Sequence, residues 1–356
     1  MDSTPSGYEE LARRFLRYAD YEYRNASPLY EHLARSIATD ADLLALAAYV
    51  SPEQPTPNLF FAAIHFLLLQ GQTHPLAQFY PSLTSTPEAP QHAYPALQDF
   101  CRTHAAAIRH QLTTRINQTN EVSRCSYLMP AFTFISRLAG ARPLALVEIG
   151  TSAGLNLMWD HYGYNYGSGV VCGNPQSPVQ LTCTLRGGHR PPLPEQMPAV
   201  GLKIGLDLNV VDIRDAGEAL WLRALVWPEN RQRAALLSHA IDVTREHPPQ
   251  LQSGDGVSLL PDVLRGIPQD MTLCVFHTHV LNQFSAEARD RLAALLETHA
   301  ATRDIYRLSA EWLNGDHPQL ELTAWQHGEL YQRRLAYCHH HGQWLEWLGL
   351  SDAWGA

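Results

Sequence analysis

The sequence predicts an α/β protein, with a mostly parallel sheet in its C-terminal part and an all-α N-terminal domain before it. Three observations predict this. From Leu144 onward, short apolar runs alternate with helical periodicity, the pattern of parallel strands joined by crossover helices. Before Leu144 the apolar residues recur at helical spacing and no strand is evident. Between the two regions, at Gly140-Ala141-Arg142-Pro143, the periodicity changes.

The helical region is expected over 1–141. Tyr8, Leu11, Ala12, Phe15 and Ala19 share one helix face. Ser27-Pro28 is a start signal, a cap followed by proline in the first turn. Asp40 caps a run containing Leu43, Leu44 and Ala47, and a further helix is expected over Asn58–Gln70. Pro81 to Pro95 reads as a loop. In the α/β region, 142–356, strands are expected at Leu144–Ile149, Val200–Leu208, Thr272–Phe276 and Asp304–Ser309. Helices are expected to start at Leu155, around Ala219–Leu225, over Arg231–Glu246 and after the cap Ser285. A segment around 163–199 reads as an insertion, with Val179–Leu185 and Gly187-Gly188 forming part of a hairpin. Gln319–Trp325 and Arg334–His340 suit a closing antiparallel pair.

The chain has 356 residues, 45% hydrophobic and 17% charged, which suits a large soluble core and, by length, two domains. The net charge is −9, and no Lys/Arg cluster is long enough to track a phosphate backbone, so nucleic acid is not a favoured partner. The six cysteines form no C-x-x-C pair and read as buried free thiols in a reducing compartment. Asp2, Glu9 and Glu10 open the chain without a signal pattern, and Phe60–Leu69 is too short to span a bilayer. The expectation is a cytoplasmic protein with no membrane partner.

The most informative segment is Glu148-Ile149-Gly150-Thr151-Ser152-Ala153-Gly154. Glycines just after a strand let backbone approach a nucleotide-like ligand, and a following helix offers free N–H groups and a positive dipole end. An acid at the strand end can hold a ribose hydroxyl or an amino group. A tight strand–helix turn without a ligand is the plain alternative. The same letters spell G-x-S-x-G, the nucleophile elbow of α/β-hydrolases, with Asp255 and His277 or His279 as the acid and histidine. That reading is weakened because several strands should precede the elbow. Asp207 ends the run from Gly201 and suits ribose hydroxyls. Asp255, in Ser253-Gly254-Asp255-Gly256, suits the adenine amino group. Each is equally at home as a cap or turn residue.

The stretches Asn120–Arg124, Leu146–Asp160, Gly205–Asp212, Trp221–Glu229 and Gly254–Leu260 resemble a bacterial domain-of-unknown-function family. That family is grouped with class I S-adenosylmethionine-dependent methyltransferase folds, and the resemblance covers nearly the whole chain. It implies a Rossmann-like sheet and S-adenosylmethionine as cofactor, with methyl transfer to a small molecule. The helical domain would lie on the substrate side as a lid. Two departures stand out: Ser152 replaces a frequent third glycine, and the gap from Gly154 to Asp207 is long. Under this resemblance Glu148, Gly150, Thr151, Ser152 and Gly154 would hold the cofactor, together with Asn156, Asp207, Asn209 and Asp255. His277, as general base, and Glu121 and Arg124 are the catalytic candidates. Asn120, His279 and Glu311 are the candidates for substrate contact. A structural histidine or an interdomain ion pair is the bland alternative for each. No metal site is assigned, and Cys338-His339-His340-His341 is expected as a solvated edge, because consecutive strand residues alternate faces. Oligomeric state is left open.

Overall fold

A computed structural model describes residues 7–118, 120–313 and 315–349. Asp2 lies outside the described residues. The chain divides into two compact units, Met1–Thr119 with Arg214–Ala235, and Asn120–Ile213 with Leu236–Ala356.

The first unit is helical. It contains α1 (Glu9–Arg17), α2 (Pro28–Ile37), α3 (Ala41–Ala47), α4 (Thr56–Leu69), α5 (Ala93–Thr103) and α6 (Ala105–Thr114). Helix α7 (Cys125–Leu138) belongs to the second unit, and α8 (Ala216–Ala224) returns to the first. The Ser27 hydroxyl accepts from the Tyr30 amide and donates to Glu229, which also takes the Leu29 amide at 3.0 Å. The start of α2 is thereby fixed by one cap and one carboxylate. Asp40 accepts from the Asp42 and Leu43 amides at 2.9 and 3.0 Å. Helix α4 is apolar on nearly every side and buried along Leu59–Leu68. Its one interior polar group, His65, is bonded to the Ala224 carbonyl and the Ser82 hydroxyl.

The second unit is built on β1 (Leu144–Ile149). The insertion follows, with β2 (Gly163–Asn165), β3 (Val171–Gly173), β4 (Gln180–Thr182) and β5 (Thr184–Arg186). Next come β6 (Val200–Asp207), α9 (Arg231–Glu246), β7 (Gln250–Ser253), α10 (Gly256–Arg265) and β8 (Thr272–Thr278). The chain closes with α11 (Ala286–Ala300), β9 (Ile305–Glu311), β10 (Gln319–Gln326), β11 (Glu329–Cys338) and β12 (Trp344–Trp347). A nine-stranded sheet has the order β5-β12-β11-β10-β9-β8-β1-β6-β7. The run β7-β6-β1-β8-β9 is wholly parallel, and β10, β11 and β12 continue it antiparallel. In chain order the parallel strands lie third, second, first, fourth, fifth, so the direction of winding reverses between β1 and β8. A crevice opens at the carboxyl ends of such a pair. Register brings Ile149 level with Leu206 on one side and His277 on the other. One face of the sheet packs Ile149, Leu206 and Val275 against Val257, Leu260, Leu292 and Leu296 of α10 and α11.

Two local expectations are corrected. Leu155–His161 is a 3₁₀ turn rather than the start of an α-helix. It buries Leu155, Leu157, Met158 and Trp159, and the chain then leaves as β2. Val179–Leu185 is not part of a hairpin. The Cys183 amide bonds Asn165 while the Thr184 amide bonds Gln343, so the chain changes sheets between adjacent residues. Strand β4 joins a small sheet of order β3-β2-β4, and β5 pairs with β12.

Strand β6 passes close under the turn that follows β1. A Cβ at Gly205 would lie 2.5 Å from the Thr151 side chain and 2.6 Å from Leu251 Cδ2. Thr151 cannot yield easily, because its hydroxyl is bonded to Glu148. Gly205→Ala is expected to lower unfolding free energy by about 1–3 kcal/mol in urea denaturation. An unchanged midpoint would refute this close approach.

Candidate functional site

Gly150, Ser152 and Gly154 have φ of 76°, 52° and 74°, so the turn after β1 is left-handed at alternate residues. Glycine carries no Cβ penalty there, whereas Ser152 does. The glycines also admit neighbours, since a Cβ at Gly150 would meet Val280 Cγ2 at 2.6 Å and one at Gly154 would meet Pro249 Cγ at 2.8 Å.

The amides of this turn are paired. The Gly150 and Thr151 amides both reach the Leu206 carbonyl, at 2.8 and 3.3 Å, and Gly154 bonds Thr151. The Ser152 amide donates to Asp207 Oδ2 at 2.7 Å, and the Ala153 amide to Asn120 Oδ1 at 3.3 Å. Buried amides need acceptors, and here side chains from β6 and from the segment before α7 supply what the turn lacks.

The acids take three different roles. Glu148 is 1% exposed, with Thr151 Oγ1 donating at 2.7 Å and Asn156 Nδ2 at 3.3 Å. Burial lifts its pKa to about 8 against the pull of those hydrogen bonds. Burial therefore favours its neutral form, inside the turn beside Thr151 and Asn156. Asp207 ends β6 and holds two amides, Ser152 through Oδ2 and Asn209 through Oδ1 at 2.8 Å. The Gly254 amide bonds the Asp207 carbonyl at 2.8 Å, which brings the Gly254-Asp255-Gly256 turn beside it. Asp255 is exposed and caps α10, accepting from the Val257 amide and the Ser258 hydroxyl.

On the other side of β1, Asn120 Nδ2 donates to Ser152 Oγ at 2.5 Å. Glu121 is 2% exposed, accepts from the Ser123 amide, and lies 3.0 Å from His341 Nδ1. Arg124 donates from Nε to the His340 carbonyl and from Nη1 to the carbonyl and hydroxyl of Thr278, each at 3.3 Å. His277 does not reach the crevice. Its Nδ1 is 2.7 Å from Glu311, Arg307 Nε donates to its Nε2 at 3.1 Å, and it is 0% exposed. With both ring nitrogens engaged and burial depressing its pKa, it has no lone pair to offer as a base. Glu311 also accepts the Val280 and Leu281 amides, both at 3.2 Å, so it anchors the chain leaving β8. His279 lies in that segment with φ 53°.

Three of the groups needed for a nucleophile elbow are thus apart in role. The Ser152 hydroxyl is bonded by Asn120, His277 is taken by Glu311 and Arg307, and Asp255 is a cap. The Cys338–His341 run is also corrected. Cys338 is buried, and the chain turns at His339 to Gly342, carrying His341 to Glu121 and the His340 carbonyl to Arg124. Sequence reading singled out His340 and His341 only as part of a solvated edge and gave no role to Val280. A Cβ at Gly342 would strike the Ser123 carbonyl at 2.0 Å, a tertiary approach that no local pattern announces. Among the described residues no group of three or more His, Cys, Asp or Glu is placed to hold a metal ion, and no helix is long and apolar enough to cross a membrane. A cleft of about 740 Å³ lies within the first unit, between Asp40, Tyr49, Arg102 and Arg109. Of its two acids, Asp40 and Asp42, the first is committed to capping α3 and to Tyr94 and Gln98.

The Glu148 shift has a definite sign. Its folded pKa of about 8 exceeds the ordinary value of 4.5, so between these pH values the folded chain keeps a proton that the unfolded chain has lost. Its contribution is full below that window and lost as pH rises through it. Glu148→Gln should therefore gain stability relative to wild type between pH 5 and pH 8, by on the order of a few kcal/mol. Parallel denaturation curves at the two pH values measure this, and a constant difference would mean that Glu148 is ionised in the fold.

No curated protein and no solved structure matches the chain. From residue 12 to residue 347 it matches the family described as an uncharacterized protein conserved in bacteria (DUF2332), and the chain belongs to that family.

Proposed function

We propose that this protein is an S-adenosylmethionine-dependent methyltransferase acting on a small molecule, with the cofactor at the carboxyl edge of β7, β6 and β1. The observation that carries the reading is Asp207. It ends the second parallel strand with its carboxylate against the left-handed turn after the first. An acid at that position suits ribose hydroxyls, which are donors. The winding reversal beside β1 supports a ligand crevice at the same edge.

The filled amides of the turn also bear on ligand class. Phosphate cradles rely on free backbone N–H groups, and here each amide from Gly150 to Gly154 has an acceptor. S-adenosylmethionine contains no phosphate, so it fits this edge better than a dinucleotide does. Asp207 and Asn209 would hold the ribose, and the turn at Asp255 would border the adenine. Asn120 and the Gly150 turn would border the amino-acid portion. When bound, the sulfonium supplies an electrophilic methyl group, and the chain's contribution is orientation and exclusion of water.

Calorimetric titration with S-adenosylmethionine and S-adenosylhomocysteine tests the reading. Saturable heat is expected with both, and Asp207→Asn should weaken each by at least ~10-fold, or ~1.4 kcal/mol. Absence of heat and of thermal stabilisation with either compound would overturn it. A fluorophosphonate probe should leave Ser152 unlabelled. Labelling lost in Ser152→Ala would instead favour a serine hydrolase.

A further inference from the structure

The 740 Å³ cleft of the first unit takes no part in the function proposed above, and every residue lining it belongs to that unit. One wall is α3 and the residues just after it, where Asp42, Ala45 and Tyr49 recur at i, i+3 and i+7 and so share a face. The other wall is Gln98 and Arg102 of α5 with Ala105 and Arg109 of α6. Two contacts fix how the walls run. At the start of α3, Asp40 Oδ2 accepts from Tyr94 Oη at 2.6 Å and from Gln98 Nε2 at 2.8 Å. Just past its end, the Arg109 guanidinium lies over the Tyr49 ring, 4.4 Å from the centroid. Both walls therefore run in the same chain direction, and the cleft is a trough along α3. Its floor is Leu43, Leu46 and Cys101, all buried in the core of the unit. Burial pushes the Cys101 thiol well up, so the floor carries no charge.

The charged side chains lining the trough are Asp40, Asp42, Arg102 and Arg109. Two of them are engaged within the fold. Asp40 accepts from Tyr94 and Gln98 on one oxygen and from the Asp42 and Leu43 amides on the other. Arg102 is paired with Asp99. Asp42 and Arg109 are exposed, and among the described residues neither has an ion-pair partner. The Tyr49 ring positions the Arg109 guanidinium without supplying a carboxylate for its donors. Asp42 and Tyr49 stand at opposite ends of α3, and the helical rise separates them by roughly 10 Å along the trough. One end is thus acidic and the other basic, with an apolar floor between them.

We propose that this trough binds an elongated zwitterion, an apolar chain with an ammonium group at the Asp42 end and a carboxylate at the Arg109 end. The floor receives the chain, because covering methylene groups is favourable where no charge must be desolvated. Arg109 receives the carboxylate and Asp42 the ammonium, each through charge-assisted hydrogen bonds. A plain fatty acid or a plain amine would leave one end unmatched, which sets the selectivity. The volume lies in the range of roughly 300–1,000 Å³ usual for small-molecule sites. This site is independent of the cofactor reading, since none of its residues belongs to the second unit.

The test is calorimetric titration of the full chain with ω-aminooctanoate, with octanoate and octylamine as singly charged comparisons. Saturable heat is expected with the zwitterion, and binding at least ~10-fold weaker with either comparison compound. Arg109→Gln should weaken the zwitterion by at least ~10-fold and leave octylamine unchanged. Asp42→Asn should weaken the zwitterion similarly and leave octanoate unchanged. No saturable heat with ω-aminooctanoate would overturn the inference, as would octanoate or octylamine binding equally tightly. So would a folded Arg109→Gln that binds the zwitterion like the wild type, or that weakens octylamine to the same extent. Titration of the same sample with S-adenosylmethionine separates the two proposals, because each compound reports on its own unit.

Discussion

Five consecutive amides leave β1 in a turn that no regular structure can satisfy, and their pairing constrains the rest of the second unit. One strand carbonyl, Leu206, takes two of them, and the Thr151 carbonyl takes one. The other two need side chains, Asp207 and Asn120. An unpaired buried amide costs about as much as several weak contacts gain, so these side chains are not free to be elsewhere. Asp207 must end β6 level with the turn, and the parallel register Ile149 to Leu206 puts it there. Asn120 must cross from the segment before α7, and it brings Glu121 and Arg124 to the same end of the sheet.

The charges follow from this clasp. Glu148 and Asp207 both serve one turn, and the repulsion between two carboxylates there would be severe. Burial keeps Glu148 protonated, and the Asp207 charge adds to its upward shift. On the far side of β1, Arg124 lies three residues from Glu121, and burial lowers the pKa of His339 and His340.

Features encoded locally were legible in the sequence. Strand β1 and helix α9 have the bounds expected of them, and Asp40, Ser27 and Ser285 cap as read, because a cap and a periodic run each involve only a few neighbouring residues. The α/β class was legible for the same reason. Side-chain destinations were not. Nothing in Thr272–Phe276 says that His277 would be claimed by Glu311 and Arg307, which lie 34 and 30 residues away. Glu148 reads as a ligand-facing acid until Thr151 and Asn156 are seen to turn it inward. The histidine run looked solvated because the turn at Gly342, which folds it back onto Ser123, is a tertiary contact. The sheet change at Cys183 depends on β12, which is remote in sequence.

Amide hydrogen–deuterium exchange, with and without S-adenosylhomocysteine, tests the central claim most directly, because the claim concerns specific amides at one sheet edge. Slowed exchange confined to residues 150–156, 207–209 and 253–257 is the predicted result. Exchange there unchanged by the compound, or slowed only in other segments, would contradict the account.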